Sequence, residues 1–158
     1  MKHLLILLIS VVSLNVPGAC KEDKIVNTVT GDIPDDPVKN TTGNQMKIII
    51  GSKTFEATLV DNEAVTALKG MLPLTLDMSE LNGNEKLFRL QKNLPEKASN
   101  PGTIQAGDLM LWGSNTLVLF YEAFPTSYSY TRIGRINDPA GLAQAVGSGS
   151  VKVTFEIE

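Results

Sequence analysis

The sequence has little of what nucleophilic and zinc-dependent enzymes use. Its 158 residues include one histidine, His3, and one cysteine, Cys20. A single cysteine excludes an intramolecular disulfide. Ser-His-Asp and Cys-His catalysis need an imidazole, and zinc sites are built mainly from His and Cys ligands. If His3 is removed with a leader and Cys20 is blocked by a lipid, the mature chain lacks these chemistries, and we expect neither a metal nor a cofactor.

The chain also lacks an excess of positive charge and an apolar run long enough to cross a bilayer. Its net charge is −3, and its Lys and Arg residues are scattered, so nucleic-acid binding is not expected. The apolar run from Leu4 to Val12 is too short for a transmembrane helix. It follows the basic Met1-Lys2-His3 and leads to the small residues Gly18-Ala19, which is the layout of a secretory signal peptide. We therefore predict that residues 1–19 are a signal peptide.

Cys20 directly follows this predicted leader. A cysteine after Gly-Ala resembles the lipobox of bacterial lipoproteins, in which the cysteine is lipidated and becomes the new N-terminus. Lys21-Glu22-Asp23 resembles the signal that displays some Bacteroidetes-type lipoproteins on the outer surface. These resemblances imply a protein held in the cell envelope, at the outer membrane, through a lipid on Cys20 alone. Periplasmic and surface display both stay open. Residues 20–45 show little apolar periodicity and predict a flexible tether.

The folded domain is predicted to cover residues 46–158 and to be mostly β. Short segments in which apolar and polar residues alternate recur between turn signals, most clearly from Val151 to Glu158. Two short helices are expected, one capped by Asp61 and one capped by Asp138 with Pro139 in its first position. About eight short strands with tight turns favour a closed barrel, which also removes exposed edges.

The stretch from Asp108 to Ile136 is expected to meet whatever the protein binds. It contains the only tryptophan, Trp112, together with all three tyrosines and two of the three arginines. It predicts a hairpin of two buried strands and a third strand from Tyr128 onward. In that third strand, Arg132 and Arg135 are predicted to lie on opposite faces. Trp112 is predicted to pack in the core or the hairpin rather than stack on a ligand.

The same residues carry a family resemblance. The relevant segments are Gly107-Asp108-Leu109 with Trp112, Phe120-Tyr121-Glu122, Tyr128-Ser129-Tyr130-Thr131-Arg132-Ile133-Gly134, and Gly147 to Phe155. In this order they resemble the bacterial cyclophilin-like domain family over the whole of residues 46–158. The resemblance implies a closed eight-stranded β-barrel with two short helices. It does not imply isomerase activity, because the Phe-His-Arg and Gly-Ser-Gln-Phe-Phe segments of true cyclophilins are absent and fold does not fix function.

The predicted ligand-binding residues are Arg132, Tyr130, Tyr128, Tyr121 and Phe124. A guanidinium in mid-strand needs a carboxylate, a carbonyl or a ligand as its partner, and aromatic side chains can line an apolar groove. The alternative is structural: Arg132 forms an ion pair with Glu122 or Asp108, and the aromatic side chains fill or cap the barrel.

Three functions follow from this pattern. The first is a module that binds a peptide or a small molecule, which is our expectation. The second is a prolyl isomerase acting on extracytoplasmic proteins, since that reaction needs no nucleophile. The third is a structural or accessory subunit without a small ligand. A hydrolase built on the carboxylates of Glu122 and Asp108 is disfavoured because no accompanying motif supports it.

Overall fold

The structure is a computed structural model, and it describes residues 43–158. The predictions for the signal peptide, for Cys20 and for nearly all of the tether lie outside the described residues. The elements, in chain order, are β1 (Gln45–Ile50), β2 (Lys53–Leu59), α1 (Glu63–Lys69), β3 (Leu74–Leu81), β4 (Glu85–Arg89), β5 (Thr103–Ile104), β6 (Asp108–Trp112), β7 (Thr116–Phe120), β8 (Phe124–Pro125), β9 (Thr131–Ile136), α2 (Leu142–Val146) and β10 (Val151–Ile157).

Eight of these strands form a closed barrel in the order β1-β10-β3-β4-β7-β6-β9-β2, and β1 pairs with β2 to close it. All of the barrel pairs are antiparallel. The predicted closed eight-stranded barrel with two short helices is therefore confirmed. The remaining strands, β5 and β8, are two residues long and pair with each other outside the barrel.

The two helices lie at opposite ends of the barrel, because α1 follows the end of β2 and α2 precedes the start of β10. The predicted caps are wrong in both cases. Asn62, not Asp61, caps α1, and its side-chain oxygen accepts from the Val65 N–H at 2.8 Å. The second helix begins only at Leu142, since the Asp138 carboxylate instead accepts from the Ala140 N–H and forms a turn ahead of it.

Strand alternation places apolar side chains on both faces of part of the barrel wall. The inward-facing residues of all eight strands and the apolar faces of both helices form the main core. Met110, Val118 and Phe120 point outward instead and form a second, smaller core with Ile104 and Tyr130. This outer core exists because the β5–β8 pair and Tyr130 cover the outside of β6 and β7. No helix among residues 43–158 is long and apolar enough to cross a bilayer.

A β-bulge changes the direction of the side chains in β9. Leu109 pairs with Gly134, whereas the next residue, Met110, pairs with Arg132, so β9 has one extra residue at this point. Ile133 and Gly134 are consequently both buried, and Arg132 and Arg135 are both exposed. The prediction that the two arginines lie on opposite faces is wrong for this reason. Gly134 also lets β9 approach β2 closely, since a Cβ there would lie 2.6 Å from the Thr58 carbonyl oxygen.

Candidate functional site

A groove of about 260 Å³ runs along the outer face of β4 and β7. It extends from the β3–β4 turn at Asn82 to the β6–β7 hairpin at Trp112 and Thr116, and its sides include Leu87, Val118 and the segment after β7. A larger depression of about 410 Å³ lies elsewhere, but its lining from Lys53–Glu56 and Asn137–Ala140 is mostly polar. Concave sites for organic ligands are mainly apolar with a few polar groups, so the first groove is the candidate site.

The rim of this groove carries exposed apolar side chains. Within residues 43–158 the exposed large hydrophobic residues are Leu81 at 43%, Trp112 at 51% and Tyr128 at 64%, and all of them line the groove. Of the two packing positions predicted for Trp112, the core is wrong and the hairpin is where it lies. Trp112 pairs with Thr116 at the end of the hairpin and belongs to the same face as Met110, which is the outer face.

The deeper wall of the groove is aromatic and is held by the outer core. Phe120 packs against Tyr130 edge to face, with 5.5 Å between ring centroids, and against Phe124 at 5.7 Å. Tyr130 is fixed further by two backbone hydrogen bonds of 3.0 Å with Ser99. Three of the five predicted ligand-binding residues, Phe124, Tyr128 and Tyr130, therefore line one groove. Tyr128 itself precedes β9, which starts at Thr131, so it does not belong to the strand predicted to begin there.

A carboxylic acid lies in this apolar setting. Glu85, at the start of β4, lines the groove but is only 8% exposed. No described residue donates a hydrogen bond to its carboxylate or forms an ion pair with it. Burial raises the pKa of Glu85, and the neighbouring Glu80 carboxylate raises it further. Burial and the Glu85 carboxylate likewise raise the pKa of Tyr130. The adjacent Asn84 also lines the groove, and its buried Oδ1 accepts no hydrogen bond from the described residues.

The other two predicted ligand-binding residues do not line this groove. Arg132 lies with its NH1 atom 3.6 Å from Oδ1 of the fully buried Asp108. The main partner of Asp108 is Arg135, whose Nε donates to the same oxygen at 2.6 Å, and the Gln105 N–H donates to Oδ2 at 2.9 Å. The ion pair with Asp108, which was the structural alternative for Arg132, is therefore present. Arg132 ties β9 to β6 on the outer face of the barrel.

Tyr121 points toward the end of the barrel near α2, where it belongs to a buried polar network. Its hydroxyl lies 2.9 Å from both carboxylate oxygens of Glu80. Lys86 is fully buried there, and its Nζ donates to Glu80 at 2.5 Å and to the carbonyls of Gly147 and Gly149 at 2.8 and 2.6 Å. The ammonium also lies 5.5 Å from the Tyr121 ring centroid. All three donors of the lysine thus have acceptors.

This network shifts the pKa values of Glu80 and Tyr121 in opposite directions. Burial alone would raise the pKa of Glu80, but hydrogen bonds from Lys86, Tyr121 and the Gly83 N–H outweigh it and lower that pKa. Burial and the hydrogen bond to the Glu80 carboxylate raise the pKa of Tyr121 to about 12. At neutral pH the network is therefore a lysine–carboxylate pair with a neutral phenol, which is a structural arrangement that closes the barrel end.

Glu85, Asn84, Leu81 and Lys86 were not identified from the sequence. The period of two in β4, which follows the Asn82-Gly83 turn, places Glu85 on the same face as Leu87 and Lys86 on the opposite face. From this alternation the sequence could have predicted which face of β4 each side chain occupies. The alternation carries no information on burial, because the cover over Glu85 comes from the distant segment around Phe124 and Tyr130. Within residues 43–158 no group of three His, Cys, Asp or Glu residues is placed to hold a metal ion.

Comparisons with known proteins agree with this architecture. The model of the cyclophilin-like family matches residues 48–156, which is well over half of the chain. The solution structure of a hypothetical protein from Archaeoglobus fulgidus is similar, with a TM-score of 0.55 at 22% sequence identity, over 72% of this chain and 94% of that one. This likeness concerns the fold alone. The search of curated proteins gave no match. By the family match and by its closed barrel, the chain belongs to the cyclophilin-like family.

Proposed function

We propose that this protein is a lipid-anchored envelope protein whose cyclophilin-like barrel binds a peptide or a small molecule in the groove on its outer face. In this function Phe124, Tyr128 and Tyr130 supply the aromatic wall, and Leu81 and Trp112 supply an exposed rim. The groove needs no nucleophile for binding, in keeping with a sequence that has no imidazole after residue 3.

The observation that carries the proposal is the convergence of the exposed apolar side chains. Single exposed hydrophobic residues are common on protein surfaces and need no explanation. Here Leu81, Trp112 and Tyr128 come from three separate parts of the chain and line the same concave groove. Tryptophan and tyrosine are also the residues that most often dominate binding energies. A groove with this rim is therefore better explained by an occupant than by folding.

The two alternatives have less support. A prolyl isomerase needs a donor to the proline imide, and Arg132, the guanidinium predicted for the site, lies outside the groove. An accessory subunit would be favoured by an exposed apolar patch without a concave pocket, whereas the exposed apolar residues here line a groove. We therefore carry the binding module forward and keep both alternatives as outcomes of its test.

The test uses Trp112, which is the only tryptophan of the sequence and reports directly on the groove. The purified full-length chain is titrated with Ala-Pro-Phe, Ala-Ala-Phe and Ala-Lys-Phe while its fluorescence is followed. We expect saturable changes, and a loss of affinity of about tenfold in Tyr128→Ala, as is usual for an aromatic hot spot. Arg132→Ala is the matched control and should leave the affinity unchanged, because its side chain lies outside the groove.

Three results would change the conclusion. No fluorescence change at millimolar peptide, or equal losses in the two variants, would remove the groove as a peptide site. Exchange across the Ala-Pro bond that is faster than the spontaneous tens to hundreds of seconds would establish the isomerase instead.

For the anchor, metabolic labelling with an alkyne fatty acid should tag the wild-type protein in the membrane fraction and not the Cys20→Ala variant. Labelling that persists in that variant would contradict the anchor at Cys20.

A further inference from the structure

The groove contains a carboxylate but no cationic side chain. Its lining includes Glu85 and Asn84; the Glu85 carboxylate forms no hydrogen bond or ion pair with the described residues, and the enclosed Asn84 Oδ1 accepts none from them. No lysine or arginine lines the groove. The adjacent Lys86 points the opposite way, into the barrel, where Glu80 and two backbone carbonyls occupy its three N–H groups. The negative charge of Glu85 is thus uncompensated inside the protein.

An acid in this position is unfavourable for folding. Burial in a mainly apolar wall disfavours the ionised form of a carboxylate, and no lysine or arginine of the groove lining offsets that cost for Glu85. The nearest carboxylate, Glu80, increases the electrostatic strain on Glu85 rather than relieving it. The Glu85 carboxylate is not among the fully enclosed unpaired atoms of the described residues, so it remains open to the groove, where a cation from outside the chain can reach it.

The walls of the groove favour the same kind of partner. The faces of tryptophan and tyrosine rings are electronegative and attract cations, most strongly when water is displaced. Trp112 and Tyr128 present exposed rings at the rim, and Tyr130 lines the wall near Glu85. The volume of about 260 Å³ lies just below the usual range of small-molecule sites, which begins at about 300 Å³. It therefore accommodates one side chain or one small amine rather than a large ligand.

From these features we infer that the groove selects an organic cation: an ammonium or guanidinium group at the end of an apolar stem, with the cation on Glu85 and the stem along Phe124, Tyr128 and Trp112. This inference rests on the proposed binding function and specifies its ligand. A basic side chain of a peptide and a free aralkylamine offer the same chemistry. The test separates these two sources.

Trp112 fluorescence of the full-length chain is followed during titration with three probes. They are acetyl-Phe-Lys-amide, the matched acetyl-Phe-norleucine-amide, which keeps an apolar stem without the charge, and phenethylamine. We expect the lysine peptide to bind about tenfold or more tightly than the norleucine peptide, the ratio typical of one charge-assisted hydrogen bond. Tight binding of phenethylamine as well would assign the source to free amines, and binding of the peptide alone would assign it to basic peptides.

Glu85→Gln removes the charge and keeps the shape of the side chain. It should abolish the preference for lysine over norleucine, and circular dichroism shows separately that the variant is folded. Glu122→Gln is the matched control, since Glu122 is exposed and does not line the groove, and it should retain the full preference.

The outcomes separate the inference from the function beneath it. Equal affinities for the two peptides in the wild-type protein, or a preference that survives Glu85→Gln, would overturn the cation selectivity and leave the binding groove standing. If Glu122→Gln lost the preference for the lysine peptide to the same extent, the preference would come from the overall surface charge, and the role of Glu85 would be overturned. No fluorescence response to any of the three probes would overturn both the inference and the proposed function.

Discussion

The barrel end and the outer groove each contain a carboxylate that is largely shielded from water, and the hydrogen bonding of the two carboxylates differs. At the barrel end, Glu80 receives hydrogen bonds from Lys86, Tyr121 and the Gly83 N–H. In the groove, Glu85 is 8% exposed and receives none from the described residues. The two residues belong to the paired strands β3 and β4, so the same hairpin supports both. The difference indicates that one region is optimised for folding and that the other region retains a group that folding alone does not favour.

The physical cause lies in the alternation of the hairpin. Glu80 and Lys86 are paired across the strands and both point into the barrel, whereas Leu81 and Glu85 are the next pair and both point outward. The inner pair therefore consists of opposite charges, and the outer pair combines an acid with an exposed leucine. A buried ion pair contributes little net stability but is strongly destabilising when one partner is removed. The comparison thus predicts that substitution of Lys86 lowers the free energy of unfolding and that substitution of its neighbour Glu85 raises it.

The largest effect is expected for Lys86→Met. This change removes the fully buried ammonium and leaves the half-buried Glu80 beside Tyr121 without its cation, so the free energy of unfolding should fall by about 3–5 kcal/mol. Urea denaturation followed by circular dichroism measures it. The double variant Glu80→Gln with Lys86→Met should lose less than the two single losses added together, since the charge that Lys86 compensated is then absent. Lys47→Met, at an exposed pair with Glu158, is the control and should change little. A loss for Lys86→Met no larger than that of Lys47→Met would show that the network does not hold the barrel end.

A smaller effect of opposite sign is expected for Glu85→Gln. The folded state holds the proton of Glu85 at pH values where the unfolded chain, with an ordinary pKa of 4.5, has lost it. The free energy of unfolding should therefore decrease as the pH rises from about 4.5 toward the raised pKa, and this decrease should be absent in the variant. Above that range Glu85→Gln should be more stable than the wild type by roughly 1 kcal/mol, the lower end of the penalty for an unpartnered buried group.

Thermal or urea unfolding at several pH values measures this gain. It should vanish below pH 4.5, where both states of the wild type hold the proton, while Glu122→Gln should show no such pH-dependent gain. A Glu85→Gln variant that is less stable than the wild type at neutral pH would mean that Glu85 has a structural partner. The contrast with Glu80 would then fail, and with it the argument that Glu85 is kept for a ligand.

The fold could be predicted from the sequence because its signals are local. Alternation in β2 and β10 and the Asn82-Gly83 turn specify strands and hairpins, and a chain of many short strands leaves few architectures open. The site could be predicted only in part. Phe124, Tyr128 and Tyr130 were identified because aromatic residues are concentrated in one stretch. Glu85 was not, because its burial depends on contacts between segments about forty residues apart in the chain.

Arg132 shows most clearly where prediction from the sequence fails. Its substitution is also expected to have the smallest effect on stability. Strict alternation placed Arg132 with the tyrosines and away from Arg135, but the bulge in β9 places both arginines beside Asp108. Such a bulge adds one residue to the strand, and the alternation of apolar and polar residues in the sequence does not reveal it. Because Arg135 makes the short contact at 2.6 Å, Arg132→Ala should lower the free energy of unfolding by only about 0.5 kcal/mol, as for an exposed ion pair.

Arg135→Ala is the matched variant, and it should lower the free energy of unfolding by about 1.5–3 kcal/mol, since it removes a charged hydrogen bond to a fully buried carboxylate. Urea denaturation compares the two. Equal losses would show that the arginines share Asp108 equally. A loss of peptide affinity in Arg132→Ala without a loss of stability would instead return Arg132 to the binding site, and the groove would then have to extend across β6 to β9.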